Sequence, residues 1–114
     1  MHEYSIIENV LSIVAETAAA RSLSRVTTVT LRIGRLHQVS ADIMRFAFTI
    51  ASQDTVAHGA ALSIEFVDIT ARCHDCGAQF VVGEHVYVCG ACGGADIDIL
   101  SGDELIVQSM EGET

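Results

Sequence analysis

Two Cys-x-x-Cys pairs, separated by twelve residues, constrain this 114-residue chain more than any other feature. The stretch CHDCGAQFVVGEHVYVCGACGG sets Cys73 with Cys76 and Cys89 with Cys92. A two-residue gap lets two thiolates grip one ion from a tight turn. Gly77 and Gly93, directly behind the pairs, permit backbone conformations that a side chain disfavours. Four soft thiolates in a tetrahedron suit Zn²⁺ above other common ions. With four protein ligands and no open position for a substrate water, the expected zinc is structural. QFVV and HVYV flank Gly83 and read as a short hairpin that brings the two turns face to face. Phe80, Val81, Val82, Val86, Tyr87 and Val88 are too few to offset the entropy of ordering this segment. The lobe is therefore expected to be disordered without its metal.

Paired cysteines also serve thiol–disulfide exchange, but that chemistry usually needs one pair at a helix start in a βαβ setting, and two matched knuckles do not fit it. Nucleic-acid binding is the more serious rival for a zinc ribbon, and charge excludes it. Lys is absent, and six arginines face fifteen acids for a net charge of −9. From residue 71 onward only Arg72 opposes Asp75, Glu84, Asp96, Asp98, Asp103, Glu104, Glu111 and Glu113. Four thiolates on one Zn²⁺ make the balance more negative still. A phosphate-binding face cannot be built from this set, nor one for an anionic membrane. Basic partners or cationic ligands suit it. No His/Glu set with catalytic spacing occurs, so a zinc hydrolase is disfavoured and the chain is not expected to be an enzyme.

No apolar run approaches the roughly 18 residues of a membrane span. Glu3 and Glu8 stand where a secretory signal would carry basic residues. The expected location is cytoplasmic, where thiols serve as metal ligands before disulfides.

Outside the cysteine module the periodicities predict an α+β domain. SIIENVLSIVAETAAARS spaces Ile6, Ile7, Val10, Val14 and Ala18 as a helix, with Ser5 and Glu8 placed for a capping box. RVTTVTLRIG alternates Val29, Leu31 and Ile33 against Thr28, Thr30 and Arg32, the pattern of a half-buried strand. A second helix fits SADIMRFAFTIAS, with Ser40 as cap and Ile43, Phe46, Ala47, Ile50 and Ala51 as its apolar face. GAALSIEFVDITA reads as one long strand, Leu62, Ile64 and Phe66 on one side, with a bulge near Val67 and Asp68. DELIVQSM resumes strand chemistry after the module. The expected architecture is a small mixed domain of helices and a three-stranded sheet, residues 1–71 and 99–114, with a zinc-ribbon lobe inserted at 72–98.

The first residues, MHEYS, raise a separate question. The α-amine of Met1, the amide nitrogen of His2 and its imidazole can chelate one ion in fused rings, with Glu3 as a further donor. Nitrogen-rich tetragonal sets of this kind are preferred by Ni²⁺ and Cu²⁺. MHEYS, a strand ending in IGRL, the paired knuckles and GDELIVQSME resemble, in order and over essentially the whole chain, the HypA/HybF family of hydrogenase nickel-incorporation proteins. That resemblance implies a nickel metallochaperone that carries Ni²⁺ as transient cargo to the large-subunit precursor of a [NiFe] hydrogenase. It implies a GTPase accessory protein as a second partner and is compatible with a homodimer. Carried over by position, His2 is the nickel ligand, Glu3 a supporting one, and Cys73, Cys76, Cys89 and Cys92 hold structural Zn²⁺. The second knuckle departs from the family's frequent Cys-Pro-x-Cys, since Gly90 follows Cys89. His74, within the first knuckle, reads as an exposed spacer in preference to a zinc-adjacent switch, and His37, His58 and His85 as ordinary surface or partly packed residues in preference to ligands. The competing reading is an acidic zinc-ribbon adaptor that carries no nickel.

Overall fold

The structure, a computed structural model, describes residues 2–83 and 86–114. Helix α1 (Glu3–Ala20) is followed by strand β1 (Arg25–Gly34), a short 3₁₀ turn at Arg35–His37, helix α2 (Ala41–Ala51) and strand β2 (Ala61–Val67). Four strands complete the chain: β3 (Thr70–Cys73), β4 (Gln79–Val81), β5 (Ile97–Ser101) and β6 (Leu105–Glu113). Two three-stranded sheets result, in the orders β2-β1-β6 and β4-β3-β5. The chain is mixed α+β, and it divides into two compact units.

The first unit comprises residues 1–32, 38–65 and 106–114. Ile6, Ile7, Val10, Val14 and Ala18 are all buried, so the predicted face of α1 is the face that packs. The helix starts earlier than a Ser5 cap allows. His2 is its N-cap residue and makes no side-chain capping bond, while the Ser5 hydroxyl donates to the His2 carbonyl at 2.9 Å. The expected capping box is therefore absent. The helix stops where Ser22 turns into the left-handed region at φ 55°. On β1, Val29 and Leu31 are buried, the core side of the expected alternation, and Val26, of the opposite parity, is buried as well. Each such side chain contributes about 1.5–3 kcal/mol when fully removed from water.

Helix α2 begins as predicted, with Ser40 Oγ accepting the Ile43 N–H at 3.3 Å. Its buried face differs from the expected one. Met44, Ala47 and Phe48 are buried, whereas Ile43, Phe46 and Ile50 face solvent. Apolar residues lie on two sides of this helix, so periodicity alone could not say which side meets the core.

The second unit comprises residues 33–37 and 66–105, and the expected zinc lobe, 72–98, lies within it. The long strand expected from residue 59 onward is two strands in different sheets. Asp68 leaves the ladder between them, accepting a 2.9 Å bond from Arg35 through its carboxylate and another from the Ser101 hydroxyl through its carbonyl. β3 is central to the second sheet, antiparallel to β4 (Ala71 opposite Phe80) and to β5 (Cys73 opposite Ile97). Among the described residues the expected QFVV–HVYV hairpin is not formed: β4 pairs with β3, and Val86–Val88 are outside any strand. Ile69, Ala71 and Val82 form a small core with Leu36, Phe80 and Ile97 around it.

Two glycines lock this unit together. Gly34 N–H donates to the Glu104 carbonyl at 2.7 Å, and Leu36 N–H to the Gly102 carbonyl at 2.9 Å. A Cβ on Gly34 would overlap the Gly102 carbonyl, and Gly102 itself sits at φ 112° against Ile69.

Candidate metal centres

β3 ends on Cys73, so the first thiol is delivered by a strand paired on both sides. The chain then turns back on itself: Gly77 N–H donates to the Cys73 carbonyl and Cys73 N–H to the Ala78 carbonyl, each at 2.9 Å. The second pair repeats both bonds. Gly93 N–H donates to the Cys89 carbonyl and Cys89 N–H to the Gly94 carbonyl, each at 2.8 Å. Gly77 and Gly93 both adopt φ 75°, the conformation for which glycine suits these positions.

These turns bring the four sulfurs within 4.8 Å of one another. Cys73 Sγ lies 3.5 Å from Cys92 Sγ, and Cys76 Sγ 3.6 Å from Cys89 Sγ. Both distances are far beyond a disulfide bond of about 2.05 Å. A tetrahedral zinc with Zn–S bonds of about 2.3 Å requires S···S edges of about 3.8 Å, close to what the thiols present. Cys73 and Cys89 are buried, Cys76 and Cys92 exposed. The donor set fits Zn²⁺.

Electrostatics of the thiols reinforce the fit. The N–H groups of Cys92 and then Ala91 point at Cys89 and lower its thiol to about 7. Cys92 is lowered by the Gly94 N–H, but its contacts with Cys73 and Cys76 outweigh this and push it up to about 12. Ionising all four sulfurs at this spacing requires a compensating cation.

His74 lies inside the first knuckle and is more than a spacer. Its Nε2 is 2.7 Å from Asp98 Oδ2 on β5, and its N–H donates to the Asp96 carbonyl at 2.9 Å. The Asp98 hydrogen bond, and then the Asp98 and Asp96 charges, raise its pKa. His37 Nε2 lies 2.9 Å from the Asp103 carbonyl oxygen, and His58 is exposed. His85 lies outside the described residues.

At the other end of the chain, His2 is exposed at the N-cap of α1. Met1, whose amine was expected to join the chelate, lies outside the described residues. Glu3 Oε2 accepts the Ser40 N–H at 3.0 Å, so the first residue of α1 holds the N-cap residue of α2. That contact, followed by the N–H of Glu3 itself, lowers the Glu3 carboxyl below its ordinary 4.5. Sequence reasoning assigned Glu3 only to metal, because Ser40 stands 37 residues away and no local pattern links them.

The chain matches, over residues 1–112, a family model described as hydrogenase/urease nickel incorporation, metallochaperone, HypA. It belongs to the HypA family. Among curated HypA relatives, the hydrogenase maturation factor HypA of Geotalea uraniireducens (strain Rf4) is 43% identical over 113 residues, covering 99% of this chain and 100% of the relative. The hydrogenase maturation factor HybF of Klebsiella pneumoniae is 38% identical over the same shares. In fold, the chain is similar to the solution structure of the Ni metallochaperone HypA from Helicobacter pylori, with TM-score 0.69 and 23% identity over 99% of this chain and 98% of that one. A second HypA solution structure gives TM-score 0.71 at 25% identity, over 98% and 96%. Nickel as cargo fits the HypA family, and the four-cysteine cluster could hold its zinc. Among the described residues, no helix is long and apolar enough to cross a membrane.

Proposed function

We propose that this HypA-family chain binds Ni²⁺ at its first residues and delivers it to the large-subunit precursor of a [NiFe] hydrogenase. Its role is that of a carrier and not of an enzyme. The His2 imidazole anchors the ion, the Met1 amine and main-chain nitrogens complete a nitrogen-rich set, and Glu3 supports it. Cys73, Cys76, Cys89 and Cys92 hold a structural Zn²⁺. Residues 1–71 and 99–114 then form the nickel-binding part and 72–98 the zinc-binding part. A GTPase accessory protein acts beside it in the cytoplasm, and the chain works as a monomer or homodimer.

The family match across residues 1–112 carries this reading. It is supported by an exposed His2 whose imidazole makes no capping bond. Release proceeds by ligand exchange: nickel at an exposed site, held by one imidazole and backbone nitrogen, is open to incoming cysteine thiolates of the acceptor. Such a site needs moderate affinity, around micromolar, or about −8 kcal/mol.

Nickel titration of the zinc-loaded protein with its native start, against the same protein extended by one residue before Met1, tests the reading. The extension keeps every side chain and moves the amine. Affinity is expected to collapse in the extended form and in His2→Ala. Equal binding by native and extended forms removes the amine from the site; nickel binding by none of the three leaves the zinc-ribbon adaptor in its place. Nanomolar retention with no transfer to the acceptor would contradict the exchange mechanism.

A further inference from the structure

Helix α2 carries apolar side chains on a second face that nothing in its own unit covers. Ile43, Phe46 and Ile50 are 54%, 68% and 45% exposed, while Met44, Ala47 and Phe48 are buried behind them. The spacing of three and four residues puts the exposed three in one stripe. A helix that is apolar on most of its circumference is normally a buried one, so this stripe has the composition of a covered surface.

Position, charge and transfer chemistry together indicate what covers it. Glu3 accepts the Ser40 N–H at 3.0 Å, which sets the residue after His2 against the start of α2. The stripe begins three residues beyond Ser40, at Ile43. Charge around it is acidic on balance: Asp42, fully exposed at the stripe's start, lies 3.9 Å from Arg45, Asp54 follows the stripe's end, and the unit as a whole has eight acids against four arginines. Ligand exchange, finally, needs the acceptor's donor atoms within bonding reach of the ion. A docking face on the helix whose N-cap residue Glu3 holds supplies that reach as effective concentration.

We propose that the Ile43–Phe46–Ile50 stripe of α2 is the docking surface for the protein that accepts the nickel, a partner presenting an apolar ridge or groove with a basic rim. The inference rests on nickel being held at His2. Its test is the affinity of the zinc-loaded chain for purified hydrogenase large-subunit precursor, with and without Ni²⁺, for native protein, Phe46→Glu, Phe46→Ser and Ile43→Glu. Ile106→Glu, on exposed β6, is the control.

The stripe variants should weaken precursor binding by about tenfold or more and slow nickel transfer, with zinc content and nickel affinity unchanged. Native binding should also weaken as salt rises. Unchanged precursor affinity in both Phe46 variants overturns the proposal while leaving the nickel reading intact. So does a result in which Phe46→Glu loses only the GTPase accessory protein. If His2→Ala binds nickel as native does while Phe46→Glu still loses the precursor, the nickel site is wrong and the docking surface stands.

Discussion

Glu3 is engaged before any metal arrives, because one carboxylate oxygen already accepts the Ser40 N–H. Its larger contribution to nickel binding is therefore expected to be positional. Glu3→Gln keeps an oxygen that can accept that N–H and should leave nickel affinity nearly native. Glu3→Ala removes the contact and should lower affinity about tenfold, as loss of a supporting group does. A loss of that size in Glu3→Gln, read in the same titration, would instead make the carboxylate a direct ligand. A second residue-level prediction concerns Gly34. Its missing Cβ is the space occupied by the Gly102 carbonyl, and both partners are backbone, so neither can rotate away. Gly34→Ala should cost at least about 3 kcal/mol, the upper range of overpacking, measured by urea unfolding. Two of the segments that suggested the family, IGRL and GDEL, thus meet: Gly34 with Glu104, Leu36 with Gly102.

At the scale of elements, legibility follows locality. The knuckles could be read in full because a metal-gripping turn is closed by residues within five positions of each other, and both glycines and all four cysteines stand where spacing put them. α1 and β1 could be read because each has a single apolar face. Their buried positions are predicted to be sensitive: Leu31→Ala on β1 should cost about 2–5 kcal/mol in the same unfolding measurement. β5, and the partners of β3 and β4, were hidden for the opposite reason. They are three to five residues long, and β3 pairs with β5 across about 27 residues, a partnership no local pattern announces. Apolarity on two sides of α2 concealed which side was core. The Ser40 cap was visible in the sequence, whereas the N-cap at His2 was not, since His lacks the short oxygen-bearing side chain that marks such positions.

For the molecule as a whole, division into two units predicts unequal responses to metal removal. The second unit's apolar core is small, Ile69, Ala71 and Val82 with Leu36, Phe80 and Ile97 around it, and the same unit carries the four clustered thiols. Stripping zinc with a chelator should therefore collapse the amide dispersion of residues 70–101 in an NMR spectrum. Signals of Val10, Val29 and Leu31 in the first unit should persist; their simultaneous loss would show the two units to be one cooperative body. The uncovered stripe on α2 has a last consequence, for the protein when no partner is bound. Copies that expose Ile43, Phe46 and Ile50 attract one another, and a net charge of −9 with no lysine opposes that attraction. The free carrier should be colloidally stable in dilute buffer and self-associate as salt screens its charge, so that the second virial coefficient measured by light scattering falls with ionic strength. In Phe46→Glu that decline should be much shallower.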